Sequence, residues 1–342
     1  MIIDMHAHWR PPSLLPLLRE RTEMPLVETN DEGVEVFKSV RGTVPVSTSF
    51  DNLDKRLVEM DRTGVSTQVF SLWGAFTWIE RLPVEEAIKF TRVYNDSVSE
   101  ICTDHPGRFA AYASVPLEDK AIAAQELERA LELPGIIGVA LPGNGFLTYE
   151  DAQAYRPIFE VANRHKALVL IHWGPAPGDK WPRVPRDADN MMHRWGTLDM
   201  QASLSSNVIT LCLTDFLDDF PDARIHVHNL GGNIPFEIAR LDHRNVLDKT
   251  DDVPPSQRMR RDNFYVDCNS FDALTIALGI KAYGADKIVV GTDGSEISCN
   301  MLKKELEDAK IDPKDRQAIL YDNAERMLSH LTTLAPPREA AA

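Results

Sequence analysis

Eight short runs rich in branched apolar residues are spaced along the chain, and long stretches of helical periodicity lie between them. The runs are IIDM (2–5), TQVFSL (67–72), RFAAYAS (108–114), IIGVAL (136–141), ALVLIHW (167–173), RIHVHN (224–229), NFYVDC (263–268) and KIVVGTD (287–293). The amphipathic stretches cover residues 53–63, 84–104, 119–132, 150–165, 197–219, 234–247, 271–283 and 313–331. Strands that alternate with helices predict a parallel sheet, and eight such units predict a closed α/β barrel, a TIM-like (β/α)8 fold. A doubly wound open sheet is the alternative, which the absence of a GxGxxG sequence after the first run disfavours.

Two long connections interrupt this rhythm, at residues 9–50 after the first predicted strand and at residues 174–196 after the fifth. Both leave the carboxyl ends of strands, where barrels of this kind keep their active sites. We therefore expect these insertions to form lids or walls of a pocket, and residues 1–342 to form a single domain.

The first predicted strand ends in a polar cluster, IIDMHAHW. Side chains of a strand alternate between its faces, so Asp4, His6 and His8 are predicted to point one way, and Met5 and Ala7 the other. Two imidazoles held side by side are half of a metal site, because neutral histidine is a preferred ligand of zinc, iron and similar ions. The alternative is that these histidines are incidental.

Other predicted strands also end in residues that bind metals or move protons, namely His172, His226, His228 and Asp293. A barrel brings the carboxyl ends of its strands into one cavity. Taken alone, His172 fits a hydrogen-bonded histidine at the rim, and Asp293 fits a helix cap. Together with the first strand, they give three histidines and one carboxylate with room for water, which is typical of a catalytic metal site.

The segments IDMHAH, IHW, FPDARIHVHNLGGNIPFEIARLDHR and VVGTD resemble, in this order, the amidohydrolase superfamily and its aminocarboxymuconate-semialdehyde decarboxylase branch. The resemblance covers essentially the whole chain. It implies a distorted (β/α)8 barrel, one divalent metal ion (zinc or manganese), and frequent homodimers. Carried over by position, the metal ligands would be His6, His8, His172 and Asp293. The reactions of the branch include non-oxidative decarboxylation of aromatic or muconate-type acids, hydration and lactone hydrolysis.

The chain departs from this branch after the sixth predicted strand. The branch has a catalytic histidine directly before Leu-Gly-Gly, whereas a gapless comparison puts Asn229 there and His228 one residue earlier. One residue reverses the face of a strand side chain. Because Ile225 and Val227 suit the apolar helix layer, we expect His226 and His228 to face the interior, and we favour His228 as the acid or base. Asp293 is the second candidate for moving a proton, and Asn229 is retained as a substrate-binding residue.

A second departure follows the eighth predicted strand, where relatives tend to have an aromatic residue and a proline and this chain reads DGSEIS. Glu296 in this loop fits a residue at a helix start, which the helix dipole favours. It also fits a ligand of a second metal ion. A second ion would suit a dinuclear iron or manganese centre, so an oxygenase stays open.

Binding of the substrate is assigned to a cation and an aromatic residue. Arg240 matches an arginine that the branch uses on a substrate carboxylate, in some members from the neighbouring subunit, and arginine suits this task through bidentate pairing. On a helix, an arginine is as often a partner in a surface ion pair. Trp173 and Trp195 fit the wall of an apolar pocket and core packing equally well.

Charge and composition narrow the class of partner. The formal net charge is -15 and the isoelectric point about 5.1, which argues against nucleic acid, since phosphate binding needs a basic surface. No apolar run approaches the length of a membrane span, so we expect no membrane partner. The start of the chain carries no export signal and the four cysteines show no CxxC spacing, so we expect a cytoplasmic location.

These observations favour a metal-dependent lyase that removes carbon dioxide from a small aromatic or unsaturated carboxylic acid without oxidation. A hydrolase acting on a lactone, or on a C–C or C–O bond, is the first alternative. A dinuclear iron or manganese oxygenase is the second. The third is a non-catalytic subunit of a hetero-oligomer, which would keep the metal and lack the proton-transfer histidine.

Overall fold

The structure is a computed structural model that describes residues 1–40, 42–46, 52–72, 79–180, 190–248, 252–293 and 299–329. The strands are β1 (Ile2–Trp9), β2 (Leu26–Thr29), β3 (Glu35–Ser39), β4 (Gly42–Pro45), β5 (Val65–Leu72), β6 (Phe109–Ala113), β7 (Ile136–Pro142), β8 (Leu168–His172), β9 (Arg224–Val227), β10 (Phe264–Asp267) and β11 (Ile288–Val289). The helices are α1 (Leu15–Arg19), α2 (Leu53–Thr63), α3 (Val84–Asp104), α4 (Lys120–Ala130), α5 (Tyr149–Gln153), α6 (Arg156–His165), α7 (Met191–His193), α8 (Met200–Leu213), α9 (Ile234–Leu247), α10 (Pro255–Arg258), α11 (Ala273–Tyr283), α12 (Cys299–Asp308), α13 (Pro313–Gln317) and α14 (Asn323–Leu328). Among these residues, no helix combines the length and the apolar character needed to cross a bilayer.

Eight parallel strands form the barrel, in the order β1-β5-β6-β7-β8-β9-β10-β11. The first and the last strand meet at a bridge between Asp4 and Val290. Across this seam, the Met5 amide donates to the Val290 carbonyl at 2.9 Å and the Thr292 amide donates to the His6 carbonyl at 3.2 Å. The predicted (β/α)8 barrel is therefore confirmed, with all eight predicted strands in place.

Several helices begin at a residue whose side chain caps the first turn. The side chain of Asn52 accepts a hydrogen bond from the Lys55 amide at the start of α2, and Gly64 ends that helix with a φ of 78°. Asp119 caps α4 and Asp272 caps α11 in the same way as Asn52. Each of these side chains accepts from backbone amides that the first turn of its helix leaves without a partner.

A bulge in β1 breaks the strict alternation of its side chains. Asp4 pairs with Gln68 and Ala7 with Phe70, so three steps along β1 lie opposite two steps along β5. Met5 consequently packs in the barrel interior, while Ala7 packs in the outer layer with the helices. The prediction that Met5 and Ala7 share a face, opposite Asp4, is wrong for this reason.

Both insertions contain structure of their own. Strands β2, β3 and β4 form an antiparallel sheet within residues 9–50, which the sequence did not predict. Arg10 joins this sheet to the barrel, since its guanidinium donates to the Val46 carbonyl at 3.1 Å and lies over the Phe37 ring. Residues 181–189 of the second insertion lie outside the described residues. The assignment of both insertions as pocket walls, and of residues 1–342 as one domain, stays a prediction.

Candidate metal centre

Four side chains from three strand ends converge at the carboxyl end of the barrel. His6 and His8 lie on β1, His172 ends β8, and Asp293 follows β11. Each offers one ligand atom, and these atoms all lie within 4.8 Å of one another. The structure thus brings together the four residues that the sequence singled out, and this donor set could hold a divalent metal ion.

The distances between the donors are short enough for one ion. His8 Nε2 lies 2.8 Å and His6 Nε2 3.4 Å from Asp293 Oδ1. The ring of His172 has its centre 5.0 Å from each of the other two rings. His6 Nε2 is fully buried and makes no hydrogen bond among the described residues. A buried nitrogen without a hydrogen bond is costly, so its position among three other donors fits a site for a cation.

The outer nitrogen of each histidine ring is held by a different partner. His6 Nδ1 lies 2.9 Å from Asp267 Oδ2, and His8 Nδ1 lies 2.8 Å from Ser71 Oγ. His172 Nδ1 donates to the carbonyl of Trp173 at 3.0 Å. Metal-binding histidines are generally fixed in this manner, with one ring nitrogen on an acceptor and the other on the ion. All three rings therefore present Nε2 to the centre.

For three of the four side chains, the electrostatics favour the form that binds metals. Burial lowers the pKa of His8, and burial together with the neighbouring histidines lowers that of His172 well below its ordinary value. Partial burial raises the pKa of Asp293, but the hydrogen bond from His8 and the charges of the histidines bring it down to about 2. Burial also lowers the pKa of His6, yet the hydrogen bond to Asp267 raises it to about 9. A metal ion would therefore compete with a proton for His6, whereas the other three donors are already in the form that binds metals.

The ring of His228 lies beside the four donors. Its ring stacks on that of His172, with centres 4.1 Å apart and planes 12° apart, and its centre lies 5.2 Å from that of His6. The Trp173 amide donates to His228 Nε2 at 2.8 Å. Burial and the nearby His6 lower the pKa of His228 to about 3, so the ring is neutral at physiological pH.

Asn229 points elsewhere. Its side-chain amide lies 3.8 Å from the sulfur of Met200, and its backbone amide donates to Asp267 Oδ1 at 2.9 Å. Asn229 has a left-handed φ of 52°, which turns the chain away from the strand immediately after His228. As the sequence predicts, Ile225 and Val227 pack in the outer apolar layer, and the intervening histidine, His226, faces the interior.

Of the other predicted residues that the structure describes, Trp173, Trp195 and Arg240 are not part of the group of four donors. Trp173 and Trp195 pack against each other in the core, with ring centres 5.0 Å apart. The Arg240 side chain is 72% exposed on α9 and pairs with Glu237 one turn earlier. Glu296 lies outside the described residues. Their roles in substrate or metal binding stay predictions.

One residue of this site was missed by sequence reasoning. Asp267 ends β10, is fully buried, and lies within 3.0 Å of both His6 and His226. Its position could have indicated its role, because Asp267, like Asp293, is a lone aspartate at the end of an apolar strand.

Comparison with known proteins places this site in a family. The profile described as amidohydrolase matches residues 3–329. This chain belongs to the amidohydrolase family.

The relatives of this amidohydrolase confirm the branch that the sequence resembles. The chain is 27% identical over 307 residues to the gamma-resorcylate decarboxylase of Polaromonas sp. JS666, covering 82% of this chain and 88% of the relative. It is 24% identical over 247 residues to the 2-amino-3-carboxymuconate-6-semialdehyde decarboxylase of Dictyostelium discoideum, covering 70% and 66% of the two chains. Both relatives are named as decarboxylases.

A solved structure shares the fold. The dihydroxybenzoic acid decarboxylase of Polaromonas sp. JS666, with bound manganese and the inhibitor 2-nitroresorcinol, superimposes with a TM-score of 0.70 and 23% identity over 96% of both chains. This amidohydrolase therefore has the same overall barrel as a protein that holds a divalent ion.

Proposed function

We propose that this amidohydrolase is a metal-dependent lyase that removes carbon dioxide without oxidation from a small aromatic or unsaturated carboxylic acid. One observation carries the proposal, namely the stacking of His228 on a ring of the four-donor cluster. This arrangement puts a proton-transfer group beside the position where an anionic substrate would meet a cation. The names of the relatives, which are decarboxylases of such acids, support the same reaction class.

The donor set would hold one zinc or manganese ion, and iron is compatible with the same ligands. The four residues are His6, His8, His172 and Asp293. When bound, the ion supplies positive charge that offsets the charge of the substrate's carboxylate or of a neighbouring hydroxyl group. One ion accounts for the four donors, so the proposal contains a single ion.

His228 would carry the proton to the carbon that loses carbon dioxide. Its Nε2 accepts the Trp173 amide, so in the neutral ring the proton is on Nδ1, which is buried and makes no hydrogen bond among the described residues. An anionic substrate beside the ring favours the imidazolium form of His228, in which Nε2 has taken a proton from solvent and no longer accepts from the Trp173 amide. The carbon–carbon bond then breaks, carbon dioxide leaves, and the electron pair of that bond takes the Nδ1 proton to form the new C–H bond, which leaves the ring neutral. Asn229, whose side chain contacts Met200, is not assigned this role.

We expect the purified protein to contain about one zinc or manganese ion per chain and to release carbon dioxide from gamma-resorcylate or a related hydroxybenzoate. The measurement is carbon dioxide release against acid consumed, on protein prepared without a chelator. Removal of the metal should stop the reaction and its return should restore it. Release of protons from lactones without any carbon dioxide from the acids would contradict the proposal and favour the hydrolase.

A homodimer would complete the substrate site. Only Ile234 and Pro235 are buried among the fourteen residues of α9, while Phe236 is 76% and Val246 70% exposed on the same helix as Arg240. A second copy of the chain that covers this helix would bury the apolar groups, and would move Arg240 towards the carboxylate bound in the partner. Exposed apolar residues concentrated on one helix are typical of an interface.

Replacing Arg240 with alanine is expected to raise KM about ten- to a hundredfold, because a charge-assisted hydrogen bond to the substrate carboxylate is lost. Steady-state kinetics measure this. Arg62→Ala is the matched control, since Arg62 also forms an exposed pair with a glutamate three residues earlier on a helix. Equal effects of the two substitutions would remove Arg240 from the substrate site.

A cytoplasmic location is also proposed. The four cysteines, Cys102, Cys212, Cys268 and Cys299, are all buried thiols, which suits a reducing compartment.

A further inference from the structure

One buried carboxylate lies behind the candidate metal centre. Asp267 is the last residue of β10 and is 0% exposed. Its Oδ2 lies 2.9 Å from His6 Nδ1 and 3.0 Å from His226 Nε2. A buried carboxylate between two imidazoles is held by strong, charge-assisted hydrogen bonds.

The other oxygen of Asp267 holds the backbone that follows His228. Its Oδ1 accepts from the Asn229 amide at 2.9 Å and from the Asn269 amide at 3.2 Å. Asn229 and Leu230 have left-handed φ values of 52° and 51°, which non-glycine residues adopt at a cost in free energy. The hydrogen bond to Asp267 therefore helps to keep the turn in this conformation.

The two imidazoles have different relations to the centre. His6 presents Nε2 to the other donors, and His226 turns its Nδ1 to the Tyr112 hydroxyl at 3.1 Å. Because His226 Nε2 is on the carboxylate, its Nδ1 can accept from Tyr112. Asp267 Oδ2 is thus the acceptor that both rings share.

We infer that Asp267 is a positioning residue that fixes two parts of the site at once. Through Oδ2 it keeps the proton of His6 on Nδ1, so that Nε2 carries the lone pair that faces the centre. Through Oδ1 it holds the turn at Asn229, which sets the place of His228 relative to the His172 ring. This inference rests on the proposed function, because it assumes that His6 binds the ion.

The test is Asp267→Asn, which keeps the size of the side chain and removes its charge. We expect metal affinity to fall about ten- to a hundredfold, the usual effect of losing the outer partner of a ligand histidine. The measurement is a zinc or manganese titration against a competing chelator, with kcat determined on the fully loaded protein. We expect kcat to fall while KM changes little, because a neutral amide holds the turn that places His228 less tightly than a carboxylate does, whereas Arg240 is unchanged.

Glu126→Gln is the matched control. Glu126 is also a buried carboxylate, and it bonds to Asn95, Arg92 and Arg129 between α3 and α4, away from the centre. We expect this variant to lose stability and to bind metal as the wild type does. Equal metal affinity of Asp267→Asn and the wild type would overturn the inference, and so would an equal loss of affinity in both variants.

A measurement on the wild type needs no variant to fold. In zinc-loaded protein with 15N-labelled histidine, we expect a slowly exchanging proton on the Nδ1 of His6, hydrogen-bonded to Asp267. A zinc-bound His6 that is protonated on Nε2 would overturn the inference. Wild-type protein that binds metal with this tautomer and decarboxylates no acid would overturn the proposed function and leave the role of Asp267 intact.

Discussion

Replacing His172 with alanine is expected to abolish retention of the metal ion by this amidohydrolase. His172 lies at the end of β8, across the site from β1, and its Nδ1 is fixed on the Trp173 carbonyl so that Nε2 is its ligand atom. Loss of an outer partner alone weakens metal sites about ten- to a hundredfold, so loss of a ligand should cost more than about a hundredfold. Elemental mass spectrometry on purified protein measures the metal content per chain.

The control for this experiment is His165→Ala. His165 ends α6 and pairs with Glu128 on the outside of the barrel, with 27% of its side chain exposed. The substitution His165→Ala removes one imidazole from the protein but leaves the four donors in place, so the metal content should stay at the wild-type value. Unchanged metal content in His172→Ala would refute the assignment of this ligand.

The second large effect concerns His228. We expect His228→Ala to lower kcat by about two to four orders of magnitude, the usual contribution of a general acid or base, while the ligands still hold the ion. Metal content is measured on the same preparation, because the ring of His228 stacks on that of His172 and its loss also removes packing. Turnover per bound metal ion is therefore the quantity to compare.

Asn229→Ala separates the two readings of the HVHNLGG segment. If His228 moves the proton, the alanine variant at Asn229 should lose far less turnover than the variant at His228. A near-wild-type rate for His228→Ala, together with a large loss for Asn229→Ala, would transfer the role to Asn229. That result would contradict the observed geometry, in which the Asn229 side chain contacts Met200.

The barrel could be predicted because each of its strands is a separate run of apolar residues bounded by polar loops. Helices α2, α3 and α9 begin and end where the periodicity places them. The sheet formed by β2, β3 and β4 was missed because its strands have at most five residues and lie in a polar segment. Helix α12 was missed because only Cys299, Leu302 and Leu306 of its ten residues are buried, which makes its apolar pattern weak.

The site was predictable as far as it depends on strand ends. The four donors lie at or just after the carboxyl ends of barrel strands, and this placement does not depend on the details of packing. They are His6, His8, His172 and Asp293. Asp267 satisfies the same rule, but its role depends on which ring nitrogen it reaches. The bulge in β1 and the left-handed turn at Asn229 are local backbone conformations. The alternation of polar and apolar residues along a strand does not predict them.

The seam between β1 and β11 also sets the order in which the site can be assembled. His8 and Asp293 are 285 positions apart in the chain and yet in direct contact. On the ribosome, β1 is made first, but one of its two neighbours in the barrel is made last. Closing so long a loop costs entropy before any contact forms, and contacts of this range are slow to form. The histidines of β1 therefore meet Asp293 only after β11 has been made, and a nascent barrel that lacks β11 and the residues after it has no complete donor set.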